Sequence, residues 1–448
     1  MPMSRTQHNL AHKILSLAIP ALGALIAEPL FTLIDSAMVG HLGTAQLAGL
    51  SLGSQILNTL IVLFVFLAYS TTALSARALG AGRSDEALRA GVDAIWLALG
   101  LGVMVAPIVA LSGPLLVRAL GASTEATPYA LHYLWASTPG LVGMFIVMAA
   151  VGTLRGLQDT RTPLYVTTAG ALINVCANAF FIYGLSWGVA GSGIGTSVTQ
   201  LLMATYLAWR LGKASRTQGV SLLPSRSGLG HAAKQGAPLV VRGIMLRIAG
   251  LATLWPVAAA GTTPLAGYQI VLTLWTLAAF VLDALAIAAQ AMVGKALGAG
   301  QIDQTRQLLR TLTKWGLYFG ILVALVLALA APWLPLLFGS DPAMHEAATW
   351  GLIASSIGIP VASVVFILDG VLLGAGDNTY LAAVGIVHVI LLLPALAAVE
   401  WWRQAGAAPH YVVAAAWLAY SLVYIGARAF TNAWRTWWSP RHSLVARR

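Results

Sequence analysis

The sequence predicts an all-α polytopic membrane protein with twelve transmembrane helices in two homologous six-helix lobes. Three observations carry that expectation: composition, the spacing of apolar runs, and an internal repeat. Of the 448 residues, 58% are hydrophobic and only 9% are charged. The mean hydropathy of +0.82 lies far outside the range of soluble globular domains. A helix needs roughly 20 apolar residues to cross the hydrocarbon core of a bilayer. Runs of that kind recur along almost the whole chain, separated by short clusters of charge, Gly or Pro. They place helices near 13–39, 46–73, 91–119, 129–154, 163–185, 191–212, 232–260, 263–291, 308–331, 347–373, 380–400 and 410–435. No stretch is left over for a soluble domain. The first run is too long for a cleavable signal and lacks a small-residue cleavage site, so it is expected to stay as the first membrane helix.

The repeat emerges on shifting the chain by 218 residues, which superposes the halves without a gap over roughly 140 positions. Pro20 meets Pro238, and Leu47-Ala48-Gly49 meets Leu265-Ala266-Gly267. The ALGAG after Arg77 meets the same five residues after Lys295. Gly152, Gly156 and Asp159 meet Gly370, Gly374 and Asp377. Six helices per half is an even number, so both halves share one orientation about an axis along the membrane normal, an arrangement found in transporters. The expected division is an N-lobe over 1–212, a polar linker over 213–230 with Lys213, Arg216, Pro224 and Arg226, a C-lobe over 231–435 and a basic tail over 436–448.

The formal charge of +11 would suggest nucleic acid in a soluble protein, but here the basic residues sit between apolar runs and at the chain ends. Arg77, Arg83, Arg89, Arg155, Arg161, Arg210, Lys295, Arg306 and Arg310 fall near loops on the N-terminal side, against Arg118 and Arg403 on the other. The positive-inside rule then puts both termini in the cytoplasm, and Arg441, Arg447 and Arg448 agree. The single cysteine, Cys176, excludes disulfides and thiolate metal sites and is expected to be a packed small residue. There is no phosphate-binding loop, no metal-spaced histidine cluster and no nucleophile pattern, so neither an ATP-driven pump nor an enzyme is expected.

Ionisable groups inside a membrane helix cost several kcal/mol if they face lipid, so each must face an interior, a cavity or a partner. The first helix places Glu28, Thr32 and Asp35 on one face, at spacings of four and three residues. Removal from water disfavours an ionised Asp35, which suits a carboxyl that exchanges protons; the bland alternative is a structural hydrogen bond or salt bridge. Asn174 and Asn178 lie one turn apart in the fifth helix, and the sixth brings Thr196, Ser197 and Thr199. Such neutral oxygens suit a cation site, and equally serve as glue between membrane helices. Arg242, Arg247 and Asp283 form a second candidate charge set in which pairing would offset burial. Asp369 reads as interfacial and His388 as a packing residue. Pro20 and Pro29 allow the first helix to bend. Trp401, Trp402, Trp434, Trp437 and Trp438 read as interfacial anchors.

These motifs resemble the multidrug and toxic compound extrusion (MATE) transporters, and within them the DNA-damage-inducible DinF-like branch. The resemblance covers nearly the whole chain. It rests on P-x8-P-x5-DSAMVGHLG from Pro20 to Gly43, the duplicated ALGAG, GTLRGLQDTRTP from Gly152 to Pro163, and NVCANAFFIYG followed by GVAGSGIGTS from Asn174 to Ser197. It implies a MATE-type fold of two rocking lobes in a bacterial inner membrane. It also implies antiport of small organic molecules, typically amphipathic cations, against H⁺ or Na⁺, by a monomer that needs no cofactor. The family's coupling residues fall on Asp35, Asn174 and Thr196. Asn178 stands where archaeal relatives have a second aspartate, which favours protons over a tight Na⁺ site. Arg242 and Arg247 occupy the seventh helix where another branch carries an acid. A flippase of lipid-linked or polysaccharide precursors from the same superfamily, and a non-transporting receptor or scaffold, are the competing readings.

Overall fold

A computed structural model describes residues 5–439. Twelve long helices follow one another: α1 (Arg5–Gly40), α2 (Thr44–Gly80), α3 (Ser84–Ala119), α4 (Thr127–Gly156), α5 (Arg161–Gly184), α6 (Gly188–Thr217), α7 (Arg226–Ala260), α8 (Thr262–Gly298), α9 (Ile302–Ala330), α10 (Pro342–Ala375), α11 (Asn378–Gln404) and α12 (Pro409–Trp438). Eleven are long and apolar enough to cross a membrane. The exception is α6, whose Gly, Ser and Thr content lowers its hydropathy although it runs for 30 residues. Leu111, Leu115, Leu322 and Leu329 stand exposed on the outward helix faces, as a lipid-facing surface requires.

The chain forms two compact units, one over Ala11–Ala237 and the other from Pro238 onward, with residues 5–10 grouped with the second. The expected linker therefore belongs with the N-terminal unit, and side chains of α3 show why. Arg89 donates to the carbonyls of Ser221 (2.9 Å) and Leu223 (2.8 Å), Trp96 donates to Leu222 O (2.8 Å), and Asp93 accepts from Ser225 N (2.9 Å) while paired with Arg89. The tail beyond Ser439 lies outside the described residues.

Within each unit the fourth helix of the repeat is the central one: 61% of the apolar window of α4 and 67% of that of α10 is buried, more than in any other span. Glycines allow the close approach. A Cβ on Gly152 would lie 2.5 Å from Ala68 O and one on Gly156 2.7 Å from Thr72 O. In the second unit Gly370 meets Ala286 O, and a Cβ on Gly374 would lie 2.6 Å from Gln290 O. All four positions keep the 218-residue offset.

The backbone repeats as well. The turn after α2 is closed by Ala81 N→Arg77 O (3.0 Å), Gly82 N→Leu79 O (3.1 Å) and Arg83 N→Ala78 O (3.0 Å). The turn after α8 is closed by Ala299 N→Lys295 O (3.0 Å), Gly300 N→Leu297 O (3.1 Å) and Gln301 N→Ala296 O (2.9 Å). Gly82 and Gly300 sit at φ 76° and 68°, which a side chain adopts only with strain. Gly300→Ala is expected to lower stability by about 1 kcal/mol in thermal unfolding, although open space surrounds the position.

Prolines inside the helices leave carbonyls that other groups take up. Pro114 frees Ala110 O, which accepts from Trp135 Nε1 at 2.9 Å. Pro20 frees Ser16 O, towards which the Thr160 hydroxyl reaches at 3.5 Å. α1 remains a helix through both Pro20 and Pro29. Cys176 departs from expectation: it is exposed on α5, two residues from each of Asn174 and Asn178 and so on the face opposite their buried stripe.

Candidate functional site

Asp35 lies five residues before the end of α1 and is only 5% exposed. Its Oδ1 accepts from Asn178 Nδ2 at 3.0 Å and from Ser192 Oγ at 2.7 Å. Asn178 Nδ2 also donates to Asn174 Oδ1 at 3.1 Å. Asn174, Asn178 and Ser192 are 1%, 0% and 0% exposed. These donors are neutral, and among the described residues Asp35 has neither a basic partner nor a hydrogen bond to Oδ2. A carboxyl held this way keeps one oxygen available for a proton or a cation, and no basic side chain among the described residues neutralises it.

The helices place these groups by local rules. Asn174 and Asn178 are one turn apart and share a face of α5. Immediately afterwards the helix loosens into a π turn over Ala179–Gly184, a feature that recurs at functional sites. The loosened turn brings Tyr183 to α1, where its hydroxyl donates to Met38 O at 2.6 Å. Ser186 (φ 58°) and Gly188 (φ 55°) then reverse the chain into α6. There the glycines set the approach: Gly191 packs on the Phe181 backbone and Gly195 on the Asn178 amide oxygen. Gly195→Ala is expected to push Asn178 off Asp35 and cut transport about tenfold, with folding retained, since a charge-assisted hydrogen bond contributes about 1.5–3 kcal/mol. Export assays beside a detergent melting curve would separate the two effects.

A cavity opens in the same lobe. Asn174, Thr196, Thr199 and Gln200 supply its polar lining, and Phe31, Ile61, Met144, Met148 and Met203 its apolar wall. Methionine is unbranched and polarisable, so such a wall adapts to ligands of different shape. Thr199 Oγ1 and Asn178 Oδ1 are buried without a hydrogen-bond partner among the described residues.

The structure thus brings Asp35, Asn174 and Asn178 together directly, with Thr196 on the adjoining cavity. The side chain of Glu28 lies outside the described residues. Sequence reasoning passed over Ser192, although Ser192, Thr196 and Thr199 share one face of α6 by the same i, i+4, i+7 spacing that singled out α1. It also passed over Tyr133 on α4, buried beside Thr196 and near enough to Asp35 to feel its charge.

The second charge set assembles differently from expectation. Arg242 pairs with Asp369 at 2.7 Å, and Arg247 is exposed on α7. Asp283 is half-buried on α8. Asp369, expected at the interface, is instead 6% exposed and accepts from Arg242, Arg428 and Asn432. His388 Nε2 donates to Thr431 Oγ1 at 2.9 Å, because the threonine's own hydrogen goes to Ala427 O. At the start of each lobe's fifth helix an aspartate is held by an arginine of the sixth, Asp159 by Arg210 and Asp377 by Arg435.

Comparison with known proteins agrees with this architecture. The chain is 29% identical to Protein DETOXIFICATION 44, chloroplastic, of Arabidopsis thaliana over 442 residues, 94% of this chain and 81% of that one. It is 28% identical to the DNA damage-inducible protein F of Escherichia coli (strain K12) over 405 residues, 86% of each chain. The crystal structure of the Vibrio cholerae MATE transporter VcmN in its bent form shares the fold with a TM-score of 0.84 at 20% identity, covering 95% of this chain and 98% of that one. The profile of the MatE family matches twice, over residues 20–180 and 238–398. The two matches are offset by 218 residues, as the internal repeat is. With both of its halves matched in this way, the chain belongs to the MatE family.

Proposed function

We propose that this chain is a secondary active antiporter that exports small organic molecules in exchange for protons by alternating access, with Asp35 as the coupling group. The observation that carries the reading is the state of Asp35: a buried carboxyl with two neutral donors on one oxygen and, among the described residues, no counter-ion. A proton taken up on Oδ2 removes a buried charge, and its release restores one. Each step changes the stability of the lobe by enough to bias a two-state equilibrium. Asn178 turns its N–H towards Asp35 rather than its oxygen, which suits a carboxylate–proton site better than a ring of oxygens for Na⁺. Pro20 and Pro29 let α1, which carries Asp35, bend in response.

The methionine-lined cavity next to Asn174 and Thr196 is where an amphipathic substrate would meet the coupling group. A relative named for detoxification, 29% identical over 94% of this chain, supports xenobiotic substrates. The basic loops support residence in a bacterial inner membrane with both termini cytoplasmic. Ethidium efflux from energised vesicles tests the reading. Under a proton gradient alone efflux is expected, and under a sodium gradient alone none. Efflux driven by sodium alone would reassign the coupling ion, and no efflux under either gradient would remove the antiport reading.

A further inference from the structure

Tyr183 does not sit as a tyrosine at a membrane boundary ordinarily does. Its ring is 48% exposed near the end of α5, where an aromatic anchor turns its polar tip to water. The Tyr183 hydroxyl turns inward instead and donates to Met38 O of α1 at 2.6 Å. That carbonyl is open to it for a reason in the backbone. The last turn of α1 tightens, so that Leu42 N bonds to Val39 O at 3.0 Å and leaves Met38 O without its helical donor. Met38 lies three residues beyond Asp35, about one turn along the same helix.

The reach from the other side comes from the π turn over Ala179–Gly184, whose wider winding rotates Tyr183 relative to Asn178. The chain beyond it is closed without help from the hydroxyl. Leu185 N bonds to Phe180 O at 2.9 Å and Trp187 N to Phe181 O at 3.1 Å, and the Phe181 and Trp187 rings stack with centroids 5.4 Å apart.

The internal repeat supplies a comparison. At the offset of 218, Asp35, Asn174 and Asn178 meet Thr253, Leu392 and Leu396, so the C-terminal lobe lacks the carboxyl and its amide neighbours. It lacks the loosened turn as well: α11 stays α-helical through residues 397–402, and Trp401, which Tyr183 meets, is 70% exposed. The π turn and its tyrosine thus accompany the buried carboxyl rather than the helix pair that both lobes share.

We propose that Tyr183 is a positioning residue for Asp35: its hydroxyl ties the last turn of α1 to α5 and so keeps the carboxyl, one turn earlier, on its donors Asn178 and Ser192. The proposal rests on the coupling role given to Asp35 above and names the contact that holds that group in place. Because the tie is made to a backbone carbonyl, it fixes the segment that carries Asp35 without competing for the carboxyl itself.

Tyr183→Phe in the full-length chain removes the hydroxyl and keeps the ring. Hydrogen exchange of the purified protein, read by mass spectrometry, is expected to quicken about fivefold over residues 38–42, the loss of one hydrogen bond, with residues 185–191 unchanged. Proton-driven ethidium efflux is expected to lose about fivefold in maximal rate at an unchanged half-saturating ethidium concentration, because Tyr183 is not part of the cavity wall. Ser192→Ala supplies the readout that a merely structural tyrosine would not move. If Tyr183 acts through the donors of Asp35, the two changes are not additive, and Tyr183→Phe costs less than about twofold more in that background. Equal exchange in wild type and Tyr183→Phe, unchanged efflux, or the same loss with and without Ser192 would overturn the role. Absence of proton-driven efflux from the wild type would remove the antiport reading alone; faster exchange in Tyr183→Phe would then still bear out the tie, and equal exchange would overturn it.

Discussion

Asp35→Asn is expected to reduce proton-driven ethidium efflux by more than about tenfold, to the level of vesicles without the protein, because no proton can then be exchanged at this position. Asparagine has nearly the shape of aspartate and can still accept from Asn178 and Ser192. The chain should therefore reach the membrane in normal amount and melt at or above the wild-type temperature, since a buried charge without a counter-ion has been removed. Loss of efflux with retained stability separates a coupling role from a structural one. Efflux close to wild type would mean that the proton is carried elsewhere in the molecule.

The second large effect is on stability. Arg428→Leu is expected to destabilise the protein by about 3–5 kcal/mol, the cost of leaving one member of a buried ion pair without its partner. Arg428 is the better enclosed of the two arginines on Asp369: the Arg428 and Asp369 side chains are 9% and 8% exposed, and the guanidinium also rests on Tyr424. Arg242 would remain on the same carboxylate oxygen and keep the loss towards the lower end of that range. Unfolding in detergent, followed by intrinsic tryptophan fluorescence, reads the change. A loss below about 1 kcal/mol would show that water already solvates Asp369 and that the pair contributes little.

Much of this architecture could be read from residue spacing. The 218-residue repeat reappears as matched turns at Gly82 and Gly300 and as matched glycine contacts at Gly152 and Gly370. That correspondence was legible because a duplicated backbone conformation needs glycine at duplicated positions. The group around Asp35 was legible for a similar reason: a carboxylate and two asparagines in apolar helices have few reasons to be there, and each pair shares a helical face. Ser192 escaped because serine in a glycine-rich helix also serves as ordinary packing, and only the contact with Asp35 distinguishes it from Ser197.

The C-terminal cluster was not legible in the same way. Asp369 finds its partners 59, 63 and 127 residues away, on α12 and α7, and no periodicity links those distances. Proximity to the end of α10 suggested an interface, whereas the approach of α12 covers the carboxylate. Arg242 seemed to call for Asp283 because both fall in neighbouring spans; rotation of α7 about its axis, which spacing alone does not define, turns Arg242 to Asp369 and leaves Arg247 outside. The fastening of the linker was hidden for a related reason. Its polar composition reads as a free connection, and only the reach of Arg89, Asp93 and Trp96 from α3 shows that it is fastened to the N-terminal lobe.

The most direct test of the account is the proton released when the purified protein binds ethidium in weakly buffered detergent solution, read with a pH-sensitive dye. If Asp35 exchanges its proton for substrate, the wild type releases about one proton per chain by reciprocal linkage, and Asp35→Asn releases none. Equal release from both proteins, or no release from a wild type that exports ethidium in vesicles, would contradict it.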